Sequence, residues 1–518
     1  MRTEIIDLVK KDTPDWSYPE LISKDGTHSS GNNNSSEILF ITSYPPDECG
    51  IATYSQDLIK SLQDKFSSSF TIKVCALKVP HVADAFPDEV KCILDAANPD
   101  SYSELISVIN ENDRIKLVLI QHEFGLFQNI DEQFFLQFLY KLTKPIVIVF
   151  HTVLPYPNES LKAKIKNIAL ACESVIVMTN HAAQLLIKMY DVPLRKITVI
   201  PHGTHLVKFL DKNILKKKYK LTGKKVLSTF GLINPGKSIE TTLDALPDII
   251  VDNPEVLFLI IGKTHPGIIK QEQEKYRNML EEKIEVLKLH QHVKFINSYL
   301  SLPDLLEYLQ LTDIYLFTSK DPHQAVSGTF SYAMSCACPI ISTPIPHAKE
   351  ALGDNSGIII DFQNSQQLAA AVKRLLGDNQ LRATMSSNAL HQMAATAWEN
   401  SAIAHVILFQ KITNSVIHLK YNIPKINLDH FKRLTTDFGM LQFSKANQPD
   451  LESGYTLDDN ARALIAIIMH YELTNEKDDI NYINIYLYFI KYCLQPKGYF
   501  LNYVNKDKNF TEQNDTSN

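Results

Sequence analysis

No stretch of this chain approaches the roughly 20 consecutive apolar residues that span a bilayer, and its first residues lack the apolar segment of a secretory signal. A basic excess is missing too: 52 Lys and Arg against 58 Asp and Glu give a formal net charge of −6. That balance excludes the concentrated basic face a nucleic-acid backbone requires. Cysteine is sparse. Seven residues, Cys49, Cys75, Cys92, Cys172, Cys336, Cys338 and Cys493, are scattered and odd in number. Most sit in apolar runs, where a reduced thiol behaves as a small hydrophobe, so a reducing cytoplasm is expected. Cys336-x-Cys338 has no second Cys/His pair nearby, so zinc is not expected. Neither half of the chain carries Gly-x-Gly-x-x-Gly after its first strand, which argues against an NAD(P)-dependent enzyme.

What is present is an ordinary globular composition, 45% hydrophobic and 21% charged over 518 residues, enough for several cores. Residues 1–36 end in a Gly/Ser/Asn-rich stretch and read as a mobile leader. From Ile38, short Val/Ile runs (ILFIT, TIKVCAL, KLVLIQ, PIVIVF, SVIVMT, KITVIP) alternate with helical stretches. Continuous apolar runs of four to six residues suit strands covered on both faces, hence a parallel sheet between helices. The pattern restarts after the basic linker KKKYKLTGKK with VLSTFG, VLFLIIG, VKFI, IYLFTS, PIIST and GIII. The fold expected is α/β, with two Rossmann-like domains over 37–205 and 206–395. A crossing helix over 396–420 and a short α-helical segment over 424–518 follow. Two such domains with open strand-end loops create a cleft in which a ligand is held from both sides.

The segment Gln324–Pro339, QAVSGTFSYAMSCACP, reads as a loop, a helix opening on Ser-Gly-Thr, and the approach to a buried strand. Ser327 can cap that helix, while the amides of Gly328, Thr329 and Phe330 are first-turn donors at the positive end of its dipole, a place that suits a pyrophosphate. An ordinary capped helix packing its Ala and Met face on a sheet reads the same way. Lys237 follows Gly236 in a strand-to-helix loop, where a cation reaches phosphate oxygens without disturbing the sheet; a solvated loop lysine is the alternative. Gly50, in the first strand-helix loop, permits close approach of backbone to a ligand or simply makes a turn. His151 ends one strand, and His122-Glu123 ends the neighbouring one on the same edge.

Together, PPDECGIATYSQDL (Pro45–Leu58), FHT (Phe150–Thr152), VIPHG (Val199–Gly203), FGLINPGKSIE (Phe230–Glu240) and YAMSCACPIISTP (Tyr332–Pro344) resemble the family-four class of retaining, nucleotide-sugar-dependent glycosyltransferases. The likeness spans roughly residues 38–412 and implies the GT-B fold. It also implies a nucleotide-diphosphate sugar as donor, a glycan or small-molecule hydroxyl as acceptor, and no further cofactor or bound metal. The donor diphosphate is then expected at Ser327, Gly328, Thr329 and Phe330, with Gly231 and Lys237. Gln324 is expected to contact the sugar and His151 to lie beside it. Gly50, His122 and Glu123 are placed on the acceptor side. The segment after Pro424, with GYTLDDNARALI, looks like the start of a helical extension found in some bacterial members, expected to be cut short here.

Three positions depart from the family pattern. The paired glutamates over the donor, eight positions apart, become Gln324 and Tyr332, and the Arg of the Gly-Arg motif becomes Leu232. Gln324 still offers a donor and an acceptor to sugar hydroxyls, but no charge; Tyr332 offers one hydroxyl toward the ribose. Lys237 and the helix amides then carry the charge of the departing diphosphate, with Lys320 or His323 as helpers. His202 and His205 at the inter-domain turn are read as shaping that turn. Asp458 and Asp459, adjacent near a helix start, are read as caps before a glycosidase pair. A catalytically weak sugar-nucleotide or glycan-binding module remains the rival reading.

Overall fold

In the computed structural model, residues 36–78, 86–127, 132–208, 210–353, 355–445 and 448–514 are described. The leader expected over residues 1–36 falls almost wholly outside them.

The first sheet is built from β1 (Glu37–Thr42), β2 (Thr71–Leu77), β3 (Val90–Leu94), β4 (Ile115–His122), β5 (Ile146–Phe150), β6 (Ser174–Val177) and β7 (Ile197–Val199). All pair in parallel, in the order β3-β2-β1-β4-β5-β6-β7. Successive residues of its central strands face opposite sides of the sheet, as the two-residue repeat of a strand requires. Leu39, Ile41, Val118, Ile120 and Ile148 enter one core; Ile38, Phe40, Leu117, Leu119 and Val147 enter the other. Burial on both faces explains the unbroken apolar runs. β3 escaped the sequence reading because it is an edge strand in which only Leu94 is buried.

The second sheet comprises β8 (Lys225–Phe230), β9 (Val256–Ile261), β10 (Val293–Ile296), β11 (Ile314–Phe317), β12 (Ile340–Ser342) and β13 (Gly357–Ile359), again parallel, in the order β10-β9-β8-β11-β12-β13. Between β9 and β10 lie two helices, Pro266–Glu272 and Lys275–Val286, separated at Gln273 with φ of 54°. Each sheet reverses its direction of growth once, between β1 and β4 and between β8 and β11. Ligands of doubly wound sheets bind outside the strand carboxyl ends at such switch points.

The helix Trp398–Ile412 returns to the first domain, where Trp398, Ala402, Val406 and Phe409 complete the core beneath the helix Gly50–Phe66. The outgoing and returning chains are paired: Thr204 donates its amide to Thr396 O at 2.9 Å, and Trp398 donates to Thr204 O at 2.9 Å. Beyond Pro424 lie the helices Leu457–Thr474 and Asp479–Cys493 around two small cores. Among the described residues no helix is long and apolar enough to cross a membrane.

Candidate active site at the inter-domain cleft

The second sheet's switch point carries the densest set of expected residues. β8 runs out at Phe230, and Gly231 follows with φ of +114°, a conformation that disfavours any side chain. A Cβ there would stand 2.8 Å from Thr329 Cγ2 and 2.9 Å from Lys237 Nζ. Only glycine lets the strand end pass between them. Gly262, at the end of β9 with φ of +133°, is pressed against the same place: its Cβ would meet Gly231 O at 2.2 Å.

Lys237 closes the short turn Pro235–Lys237 and donates from Nζ to Phe230 O at 2.9 Å. Burial pushes its ammonium down to about 8. A cation held by one carbonyl and short of solvent gains from an incoming anion. A cavity of about 260 Å³ opens beside it, lined by Thr229, Asn234, Lys237, Thr318, Ser319 and Gln324, the loops that leave β8 and β11. Gln324 accepts from Ser319 Oγ at 2.8 Å. A larger hollow of about 460 Å³, lined by Glu272, Lys275, Asn278 and Glu282, borders the helix Lys275–Val286 and draws on none of these strand-end loops.

The helix Gly328–Ser335 begins and ends as its sequence directs, with Ser327 as N-cap. Ser327 Oγ accepts from the Phe330 amide at 3.4 Å, so that donor is already occupied. The amides of Gly328 and Thr329 have no acceptor among the described residues. Phe330 itself is core, 0% exposed. The expected trio of free amides is therefore a pair.

Tyr332 lies one turn further on and faces the first domain. Its hydroxyl donates to Asp57 Oδ2 at 2.6 Å, and His205 Nε2 stands 3.2 Å from the same oxygen. Burial and the Asp57 carboxylate hold the phenol far above its ordinary range, so it is neutral and a donor. The hydroxyl expected at a ribose is thus committed to a bond between domains. Nearby, Tyr299 and Thr53 hydroxyls lie 3.0 Å apart and Lys263 pairs with Glu48. These two loops of the second domain close on the first domain.

On the other side of the cleft, His151 Nε2 lies 2.7 Å from Gln121 Oε1. A carbonyl oxygen only accepts, so Nε2 donates and Nδ1 keeps its lone pair. Burial, and then the nearby His202 and His122 imidazoles, push His151 down to about 3, so it is neutral. The Tyr54 ring contacts His151 at 5.0 Å, His202 at 5.2 Å and Trp398 at 5.2 Å. His202, read from sequence as a turn former, directs Nε2 at Gly328, whose Cβ would meet it at 3.4 Å. A line of contacts therefore runs from Lys237 through Gly231, Thr329, Gly328 and His202 to Tyr54 and His151. Nothing in the sequence marked His202 or Tyr54 for this, because their meeting depends on how the domains face each other.

Two acceptor-side residues are placed differently from expectation. His122 is 2% exposed and boxed by Phe124, Phe127, Phe135 and Phe150. The pleat of β4 turns it to the face of Val118 and Ile120, away from the cleft. Glu123 accepts from the Phe124 amide at 2.9 Å and from Thr152 Oγ1 at 2.7 Å, which ties down the loop after His151. Gly50 opens its helix into free space, with nothing within 4 Å of a Cβ. Lys320 and His323 are exposed. Among the described residues no group of three or more His, Cys, Asp or Glu is placed to hold a metal.

Two parallel-sheet domains facing each other across strand-end loops, with the chain crossing twice between them, define the GT-B class. The profile described as "Glycosyltransferase Family 4" matches residues 50–208 and that described as "Glycosyl transferases group 1" matches residues 211–392. The chain belongs to the family-four glycosyltransferases of GT-B fold.

Similar proteins include spore coat protein SA of Bacillus subtilis, 26% identical over 37% of this chain and 50% of that one. The D-inositol 3-phosphate glycosyltransferase of Thermobispora bispora is 22% identical over 50% and 63%. A GDP-mannose-dependent mannosyltransferase of Corynebacterium glutamicum is 22% identical over 42% and 54%. The chain thus spans about half to three-fifths of the length of these curated relatives. In fold it is similar to Anabaena HepE, solved in complex with UDP, with a TM-score of 0.58 and 18% identity over 72% of this chain and 99% of that one. A glycosyltransferase from Rickettsia africae gives 0.58 and 17% over 73% and 99%.

Proposed function

We propose that this protein transfers a hexose of mannose or glucose type from a nucleotide-diphosphate sugar to a hydroxyl of a glycan or small molecule, with retention at the anomeric carbon. The observation that carries this reading is the convergence of Lys237 and Thr329 on Gly231 at the second sheet's switch point, where Lys237 lines a cavity and the first-turn amides of Gly328 and Thr329 are unpaired among the described residues. A diphosphate leaving group gathers negative charge as the glycosidic bond breaks, and fixed donors with a buried cation stabilise it there. Gln324 borders the same cavity and offers an amide to sugar hydroxyls. His151, neutral and with Nδ1 bare, faces the sugar from the acceptor domain. The name of one similar protein, which uses GDP-mannose, and the UDP bound by HepE favour the same class of donor. Seven unpaired cysteines suit a reducing compartment, and we place the reaction in the cytoplasm.

The test is mass spectrometry of the purified chain with GDP-mannose, UDP-glucose, UDP-N-acetylglucosamine, UDP-galactose and ADP-glucose, with Lys237→Ala beside it. Nucleotide release from one donor, abolished by the substitution, is the expected result. Donors that stay intact while calorimetry shows binding would favour a sugar-nucleotide-binding module instead. The commitment of Tyr332 to Asp57 and the uncharged Gln324 are the observations on that side.

A further inference from the structure

The described lining of the cavity beside Lys237 has that one cation and one carboxylate, Asp321, whereas a bound nucleoside diphosphate brings two or more negative charges. A second positive group is needed, and the hinge supplies a candidate. His202 Nδ1 lies 2.8 Å from Gly203 O. The carbonyl can only accept, so Nδ1 carries the ring proton and Nε2 is a bare lone pair. His202 is 9% exposed, and Nε2 has no hydrogen-bond partner among the described residues. It is aimed at Gly328, the first residue of the helix Gly328–Ser335, where a Cβ would meet it at 3.4 Å. A lone pair pointed at an approaching phosphate oxygen is repulsive; the same nitrogen with a proton is a charged donor.

We propose that His202 is the second cation of the donor site: when a nucleoside diphosphate seats at the N-terminus of the helix Gly328–Ser335, Nε2 takes a proton from solvent and the imidazolium faces the diphosphate. This rests on the donor reading above. Without ligand, burial keeps the ring neutral, pushed down to about 4. The groups around it are Asp57 and Tyr54 from the first helix, His151 from the end of β5, His205 from the same linker, and His347 from the helix Pro346–Ala351. Burial disfavours the proton most, the Gly203 carbonyl and Asp57 favour it and His205 opposes it, so the ring stays neutral until an anion arrives. His347 also flanks the helix, but its Nδ1 already accepts from the Ser327 amide at 3.3 Å. His202 lies two residues before Thr204, which pairs with the returning chain at Thr396 and Trp398, so its protonation ties donor binding to the junction between the two domains.

The test is titration calorimetry of the full chain with UDP, GDP and ADP at pH 6.5, in buffers of differing ionisation enthalpy, which counts protons taken up per nucleotide. At that pH Lys237 is already charged and adds little uptake. The expected result is uptake of roughly half to one proton, abolished in His202→Gln with affinity lowered about tenfold, a charge-assisted hydrogen bond's worth, and kept in His347→Gln. Uptake that survives in His202→Gln, or vanishes in His347→Gln, would overturn the assignment. If His202→Gln does not fold, His202→Asn and the His347→Gln arm decide it. Binding by the native chain without proton uptake overturns this inference and leaves the donor reading standing; no binding of any of the three nucleotides overturns both.

Discussion

Trp398 lies against Gly203 so closely that a Cβ on the glycine would stand 2.1 Å from the indole. The two residues come from opposite crossings of the chain between domains, joined by the pairing of Thr204 with Thr396 and Trp398. Gly203 is an inter-domain packing residue as well as a turn residue. Gly203→Ala should destabilise the protein by about 2–4 kcal/mol, the upper range for forcing extra atoms into a packed site. Thermal denaturation followed by circular dichroism measures it. A melting temperature equal to that of the native chain would show that the hinge relaxes freely.

Lys237 links the site to pH. Its folded-state pKa is depressed to about 8 by burial, below the 10.5 of a free lysine, so the side chain is charged below pH 8 and increasingly neutral above it. A bound diphosphate favours the charged form, so affinity for UDP or GDP should fall several-fold between pH 7.5 and 9 as binding must first restore the Lys237 proton. Lys237→Met keeps the stem and removes the charge. It should weaken binding about 10- to 100-fold, the scale of a charge-assisted hydrogen bond, and flatten the profile above pH 7.5. A native profile with no fall to pH 9 would mean that Lys237 does not meet the anion.

The sheets were legible because both faces of their central strands are buried and buried strands write continuous apolar runs. The start of the helix Gly328–Ser335 was legible, since Ser327 caps it. Gln273 gave no sign of breaking its helix, being neither glycine nor proline. Within the site, Gly231, Lys237 and Thr329 belong to one domain, the first two to a loop and the third to a capped helix of recognisable composition. His122 was misplaced because a strand-end position names an edge and not a face. The bond between Tyr332 and Asp57, 275 residues apart, and the approach of His202 to Gly328 depend on domain placement, to which local patterns carry no pointer.

Tyr332 separates two roles for one position. If its hydroxyl serves the bond to Asp57, Tyr332→Phe removes a donor from a carboxylate whose side chain is only 9% exposed. The cost should be about 1–3 kcal/mol of stability, with increased hydrogen exchange in the helix Gly50–Phe66 and little change in KM for the donor. A donor KM raised tenfold or more with an unchanged melting temperature would instead assign the hydroxyl to the nucleotide.

In the C-terminal segment the sequence draws the eye to Asp458 and Asp459, but the structure gives the weight to their neighbour. Arg462 spans both carboxylates at 3.2 and 3.4 Å, and Asp459 accepts from Thr456 Oγ1 at 2.6 Å, contacts of a partly solvated helix start. Asn460 is fully buried. Its Oδ1 accepts from the Met440 amide at 2.7 Å, and its Nδ2 donates to Thr456 O at 2.8 Å and Met440 O at 3.2 Å. Asn460→Leu leaves the Met440 amide and carbonyl without their partner in a small core and should cost about 3 kcal/mol, whereas Asp458→Asn should change stability by less than about 0.5 kcal/mol. Hydrogen exchange over residues 429–504 reads both. Glycosyl transfer lost in Asp458→Asn while the exchange pattern is native would restore the carboxylate pair as a chemical site; transfer unchanged would leave it as the end of a helix.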